Sequence, residues 1–324
     1  MENKNVCAVV VTYNRKDFLL ECLESLRKQV YPLQGIYLID NASVDGTPKV
    51  LLESGYIKDL PPQDLNAPWE VESEIKELTN RNTIRFHYVR MHKNRGGAGG
   101  FYEGVKRAYK KGYSWLWLMD DDTIACDGAL FTLLNKIESL DLGNKKIGFA
   151  CSKVVWIDGT PHFMNIPSIR QVLNGIPFNY YEERGVLLVE TASFVSLLIS
   201  REVVKEVGLP LKEFFIWADD VEYTLRITRR GFIGLYVAES LVVHKTKVNY
   251  SVTQVYDERF FYNNRNWLWV RRLYNGGTIY LLCLAGKLLL FPLLPRRVWW
   301  TNIKSCLSSL IRRPKIEYVT DNEM

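Results

Sequence analysis

The first part of the chain alternates short apolar runs with amphipathic stretches, and that alternation predicts the fold class. Residues 6–11 form a β-branched apolar run, and Phe18, Leu19, Cys22, Leu23 and Leu26 follow at helical spacing. A second run at 35–39 leads through turn residues into a helical pattern around Val50, Leu51 and Leu52. A third strand is predicted at 84–89, a helix through Val105, Ala108 and Tyr109, and a fourth strand at 115–119. Repeated β-loop-α units predict an α/β domain in which a parallel, Rossmann-like sheet carries helices on both faces. The polar, acidic stretch 61–82 interrupts this rhythm and reads as a surface insertion with a short helix at 71–78 and no catalytic part. Later, 186–189 and 194–199 read as strands, 201–207 and 221–229 as helices, and 241–243 as a strand.

In open sheets of this kind ligands lie beyond the carboxyl ends of the strands, where successive loops converge. Those loops carry Arg15, Asp40, Asn94 and the triplet Asp120-Asp121-Asp122. Three adjacent carboxylates repel one another, and they persist beside a core strand most readily where a divalent cation and a phosphate-bearing ligand gather, here a nucleotide diphosphate. Capping of the helical pattern at 129–134 is the other reading, for which one Asp would suffice. The glycine run at 96–100 lacks the spacing of the dinucleotide fingerprint or the P-loop. Placed between a strand and a helix, its backbone N–H groups still allow close approach of a sugar or phosphate; a plain turn is the alternative.

Asp219-Asp220 heads the pattern at 221–229. Asp219 suits a cap, and Asp220 suits the base of an inverting glycosyl transfer, which needs one carboxylate to take the proton of the attacking hydroxyl. His244 is open to three roles, as a ligand to Mg²⁺ or Mn²⁺, as a phosphate contact, or as a structural residue. Arg265 suits either the diphosphate or an ordinary surface contact.

Length and composition, 324 residues with 47% hydrophobic content, allow one large α/β domain with a helical appendage. We expect a catalytic domain over 1–250 and a C-terminal helical region over 251–324. The six cysteines are scattered without paired spacing, so reduced thiols are expected; with no leader pattern at the start, a cytoplasmic location is expected as well. The net charge of +6 accumulates late, at Arg271-Arg272, Arg296-Arg297, Lys304 and Arg312-Arg313, among Leu281-Leu282, Leu293-Leu294 and Trp299-Trp300. Lys287 and Pro292 interrupt the apolar run, which favours helices lying on the inner face of the cell membrane over a spanning helix. Packing on a second subunit, giving a homo-oligomer, is the alternative. No nucleic-acid partner is expected.

With these residues assembled, the chain resembles the family 2 glycosyltransferases of GT-A fold. The resemblance rests on residues 9–15 (Val-Val-Val-Thr-Tyr-Asn-Arg), 40–47 (Asp-Asn-Ala-Ser-Val-Asp-Gly-Thr), the Asp triplet and 217–222 (Trp-Ala-Asp-Asp-Val-Glu), in order across residues 5–270. Residues 94–101 and the full triplet look most like the bacterial galactofuranosyltransferases. The resemblance implies that Thr12, Arg15, Asp40, Asn94, Gly96, Gly97, Asp120 and Asp121 line a nucleotide-sugar site, and that Asp120, Asp122 and His244 hold Mn²⁺ or Mg²⁺. It implies Asp220 as catalytic base, with Trp217 and Asp219 at the acceptor. Ala218 departs from the pattern, since many relatives carry an acid or another polar residue there. The function implied is transfer of galactofuranose from a UDP-sugar to a saccharide or lipid-linked saccharide. A rhamnosyltransferase using dTDP-rhamnose is the nearest alternative, and a non-catalytic nucleotide-sugar-binding subunit is the alternative of another class.

Overall fold

The first apolar run becomes β1 (Val6–Thr12), buried along its whole length in the middle of the sheet. The computed structural model describes residues 4–249 and 257–319, so the boundary expected at 250/251 falls outside them. α1 (Lys16–Arg27), β2 (Gly35–Asp40) and α2 (Thr47–Glu53) follow, then β3 (Trp69–Lys76), β4 (Thr83–Arg90), α3 (Gly96–Lys110) and β5 (Trp115–Asp120). β5, β1, β2 and β4 are neighbours in parallel register, as the alternation predicts.

The second half extends the sheet differently. β6 (Thr123–Ala125), α4 (Ala129–Ser139) and β7 (Ile147–Val155) lead to a small hairpin of β8 (Val172–Leu173) and β9 (Ile176–Pro177). β10 (Val186–Val189), β11 (Leu197–Ser200), α5 (Arg201–Val207), α6 (Asp219–Arg229) and β12 (Ile233–His244) complete it. β11 runs antiparallel between β5 and β7, and β12 pairs in parallel with β7 but antiparallel with β6 and β10. Val6, Ala8 and Val10 enter one core cluster while Cys7, Val9 and Val11 enter another, so the period of two along β1 fills both faces. α3 lies close on β1 because Gly100 faces it, where a Cβ would fall 2.5 Å from Val11 Cγ1.

The helix expected at 71–78 is instead the edge strand β3, antiparallel to β4. Its residues alternate Trp69, Val71, Ser73, Ile75 against Glu70, Glu72, Glu74, Lys76, which is strand period. Glu72 and Glu70 reach Lys111 and Arg107 at the end of α3, tying down an edge that charge also protects from further pairing. Beyond the sheet, α7 (Phe260–Tyr274), α8 (Gly277–Leu289) and α9 (Trp299–Ile311) pack on one another. No helix among the described residues is long and apolar enough to cross a membrane.

Candidate active site

Register brings distant residues together. β1 places Thr12 beside Asp40 of β2 and Val11 beside Asp120 of β5. After Asp120 the chain turns into β6, whose pairing with the end of β12 sets His244 opposite Thr123, and Lys245 N donates to the Asp122 carbonyl at 2.8 Å. Asp120, Asp122 and His244 therefore each offer a ligand atom within 4.8 Å of the others. α4 begins only at Ala129, with Gly128 at its N-cap, so the triplet does not cap it.

The donor set fits a hard divalent cation. Oδ1 of Asp122 is buried, lies 3.1 Å from His244 Nε2 and accepts no hydrogen bond, a costly state that a cation would relieve. His244 Nδ1 donates to Asn165 Oδ1 at 2.8 Å, which holds the ring with Nε2 turned toward the carboxylates. Asn165 Nδ2 in turn donates to Ser193 Oγ at 2.9 Å, which fixes its orientation. Arg15 ion-pairs with Asp122 and approaches Asp121 at 3.4 Å. Asp121 accepts from Thr12 Oγ1 at 2.7 Å and Tyr13 N at 3.3 Å. Burial pushes the Asp121 carboxyl up to about 7 against the pull of Arg15, and burial with the Asp122 charge raises Asp120. Burial also works against ionised Asp122, but contact with His244 and Arg15 outweighs it and holds that carboxyl below its ordinary range.

Asn94 Oδ1 accepts from Gly96 N at 2.7 Å, and Asn41 Nδ2 donates to the Gly96 carbonyl at 2.8 Å. Gly96 sits at φ +71°, and a Cβ there would fall 1.9 Å from the carbonyl oxygen of Phe215, which also accepts from Ala98 N. Only glycine lets the opposite loop pass this closely. That loop is strained: Phe215, Trp217 and Ala218 all have φ between +61° and +68°, at about 1–3 kcal/mol each. α7 holds it. Asn266 Nδ2 is shared among the carbonyls of Phe214, Ile216 and Trp217 at 2.8–3.0 Å, and Arg265 Nη2 donates to those of Glu213 and Phe214 at 2.8 and 3.1 Å. Arg265 is thus a buried backbone clamp, neither the diphosphate ligand nor the surface contact between which the sequence left it open.

The loop delivers Asp219 and Asp220 to the first turn of α6, where Ala218, in the left-handed region, is the N-cap and Asp220 Oδ1 accepts from Val221 N at 2.7 Å. The cap expected of Asp219 is absent. A buried Glu222–Arg226 pair at 2.7 Å anchors α6, with Arg226 Nη1 on the carbonyls of Val207 and Leu209 and Tyr274 Oη on Glu222. Burial and the neighbouring Asp220 push the Asp219 carboxyl well above its ordinary range, while burial raises Asp220 to about 6.

One cavity of about 670 Å³ is lined by Thr12, Arg15, Asn94, Gly96, Gly97, the Asp triplet and His244, and equally by Trp217, Asp219 and Asp220. Asp40 does not reach it. Its carboxylate is fully buried beneath, taken by Arg90 Nη1 at 2.6 Å, Tyr88 Oη at 2.7 Å and Ser43 N at 2.8 Å. Asn41, Asn165, Arg259, Asn263 and Trp267 also line the cavity and were not anticipated. The spacing of four from Arg259 to Asn263 to Trp267 marks one face of α7 and was the available signal. Asn165 ends a single 3₁₀ turn, Phe163–Asn165, too short to carry a periodic signal.

The sequence profile of Glycosyl transferase family 2 matches residues 7–58 and 68–206. The chain belongs to that family. Galactofuranosyltransferase GlfT1 of Mycolicibacterium smegmatis is 28% identical over 233 residues, covering 70% of this chain and 66% of that protein. This chain therefore aligns with just under two thirds of that relative's length. The fold of GalNAc-T7, solved with UDP, GalNAc and Mn²⁺, matches with a TM-score of 0.58 and 18% identity over 85% of this chain and 49% of that one. The mannosyltransferase PcManGT of Pyrobaculum calidifontis, solved with GDP-Man and Mn²⁺, matches with a TM-score of 0.50 and 16% identity over 94% of this chain and 74% of that one. The glycosyltransferase sheet is thus the GT-A fold.

Proposed function

We propose that this family 2 member is an inverting glycosyltransferase that moves galactofuranose from UDP-galactofuranose to a hydroxyl of a lipid-linked or growing surface polysaccharide at the inner face of the cell membrane. The observation that carries the reading is that the acid–histidine cluster with Arg15 and the Asp219–Asp220 pair share one cavity. The donor sugar follows the likeness to the galactofuranosyltransferase relative. Mn²⁺ or Mg²⁺ held by Asp120, Asp122 and His244 would supply charge stabilisation to a leaving diphosphate, in keeping with the Mn²⁺ of both solved relatives.

The remaining work falls to the chain's own residues. Arg15 and the backbone N–H groups at the head of α3, near Gly96 and Gly97, offer positive potential to the diphosphate. Trp217 bounds the acceptor side of the cavity. As the acceptor oxygen bonds to the anomeric carbon and the bond to the diphosphate breaks, the hydroxyl proton passes to Asp220 and the electron pair leaves with UDP. The Asp pair is separated by environment: Asp220, at about 6, is largely ionised at neutral pH and can accept the proton, whereas burial and the charge of Asp220 make ionisation of Asp219 the less favourable of the two.

Incubation with UDP-galactofuranose, UDP-galactopyranose and dTDP-rhamnose, each with and without Mn²⁺, tests the reading. Turnover of UDP-galactofuranose alone, dependent on cation, is expected. Preference for dTDP-rhamnose reassigns the donor, and binding without turnover of any donor overturns the catalytic reading.

A further inference from the structure

The last of the three C-terminal helices is packed inside out. α9 buries Asn302, Ser305 and Ser309 to within 1% of full burial, while Trp300, Leu307 and Ile311 are 74%, 51% and 82% exposed. The buried residues recur at three and four and make one polar stripe. Trp300, Lys304, Leu307 and Ile311 make the opposite, outward stripe. A helix packed for water does the reverse.

The buried stripe is satisfied internally. Asn264 of α7 donates to Asn302 Oδ1 at 2.8 Å and to Ser305 Oγ at 2.5 Å, and Asn302 Nδ2 donates to the Lys287 carbonyl at 2.9 Å. Tyr280 meets Ser309 at 3.2 Å, and Lys287 Nζ reaches Asn264 Oδ1. α9 therefore turns its polar side inward, beside a small apolar cluster of Leu268, Tyr280, Leu284 and Cys306, and leaves an apolar face outward. α8 continues that face with exposed Leu281, Leu282, Leu288 and Leu289, as does Leu293 beyond it.

We propose that this face beds into the surface of an anionic bilayer. Between residues 259 and 316 the chain has eleven lysines and arginines and no acid, with Arg271, Arg296, Arg297, Lys304, Arg312 and Arg313 exposed. A second copy would meet this surface with like charge, whereas anionic headgroups complement it. α8 and α9 have 13 residues each, too short to span, so the helices lie in the interface with their apolar side chains among the acyl ends. α7 joins the two functions, since Arg259, Asn263 and Trp267 line the cavity while Asn264 and Leu268 pack on α8 and α9. A membrane-borne acceptor would thereby enter beside the helices that hold the protein to its lipid.

Flotation of the full chain with vesicles tests this and requires neither donor nor acceptor, so it fails independently of the transfer reading. Binding to phosphatidylglycerol–phosphatidylcholine vesicles, weakened by high salt and absent on phosphatidylcholine alone, is expected. Trp300→Ser with Leu307→Ser and Ile311→Ser should weaken partition by about tenfold or more, because each loses a membrane-buried apolar side chain. Arg296→Gln with Arg297→Gln should weaken it by about fivefold per charge at low salt. Unchanged nucleotide binding serves as the control for folding. Failure to float, triple-variant flotation equal to wild type, or a lipid-independent dimer that the triple variant splits would each overturn the proposal.

Discussion

The two walls of the cavity are positioned by different means. The wall bearing Thr12 and the Asp triplet consists of strand ends, aligned by parallel pairing of β1 with β2 and β5. The wall bearing Trp217, Asp219 and Asp220 is a loop with three non-glycine residues at positive φ, held in place by Arg265 and Asn266 from a helix roughly fifty residues later in the chain. Register fixes the first wall wherever the sheet forms. The second exists only while α7 is docked, so mutations should separate nucleotide binding from turnover.

Asp220→Asn gives the largest separation. Turnover should fall about 10²–10⁴-fold, the usual contribution of a positioned base, while UDP affinity measured calorimetrically in the presence of Mn²⁺ stays at the wild-type value. Retention of most activity would remove Asp220 as base. Asn266→Ala comes next. Three carbonyls lose their shared donor, and unmet buried polar groups cost about 1–3 kcal/mol each, so unfolding in denaturant should show a loss of about 2–4 kcal/mol. Turnover should drop well beyond nucleotide affinity, and Asn266→Asp should not rescue it, since a carboxylate cannot donate. Equal losses in binding and turnover would show that the walls are not separately positioned.

Asn165→Leu tests the first wall from behind. Without the Asn165 acceptor at 2.8 Å, the His244 ring loses its fixed tautomer. Removing such an outer partner weakens cation affinity by about 10–100-fold, readable by Mn²⁺ titration with no turnover. Unchanged affinity would exclude His244 as a ligand.

The same contrast explains what sequence reading could reach. Asp120, Asp122, Arg15 and Asn94 follow apolar runs, and a strand end in an open sheet points its loop at the ligand crevice. Asp40 carries the same signal but is turned inward, because register sets Arg90 of β4 directly beside it and Tyr88 adds a hydroxyl; no local pattern records that pairing. β3 was misjudged because half of its alternation is charged and faces α3. Arg265 stood open between a diphosphate and a surface contact because residue type alone does not reveal a cation satisfying strained carbonyls. The polar interior of α9 is visible only with its partners in place.

The smallest effect concerns the proton on Asp220, where the second wall sets the chemistry. Burial first, and then the charge of Asp120, raise its carboxyl to about 6 against a hydrogen bond from Val221 N. The base must be ionised, so the rate should be half its plateau where Asp220 is half ionised and fall about tenfold per unit below that point. A cation on Asp120 offsets one of the raising charges, which places the midpoint of the loaded enzyme below 6. The same shift has a sign in stability. A carboxyl whose folded pKa exceeds its unfolded value of about 3.9 favours the fold fully below that value and loses the contribution as pH rises through about 6. Asp220→Asn should therefore melt above wild type at pH 8, with the gap closing toward pH 4. Equal melting temperatures at pH 8 would mean that the loop exposes Asp220 to water, and the separation between the two walls would lose its electrostatic basis.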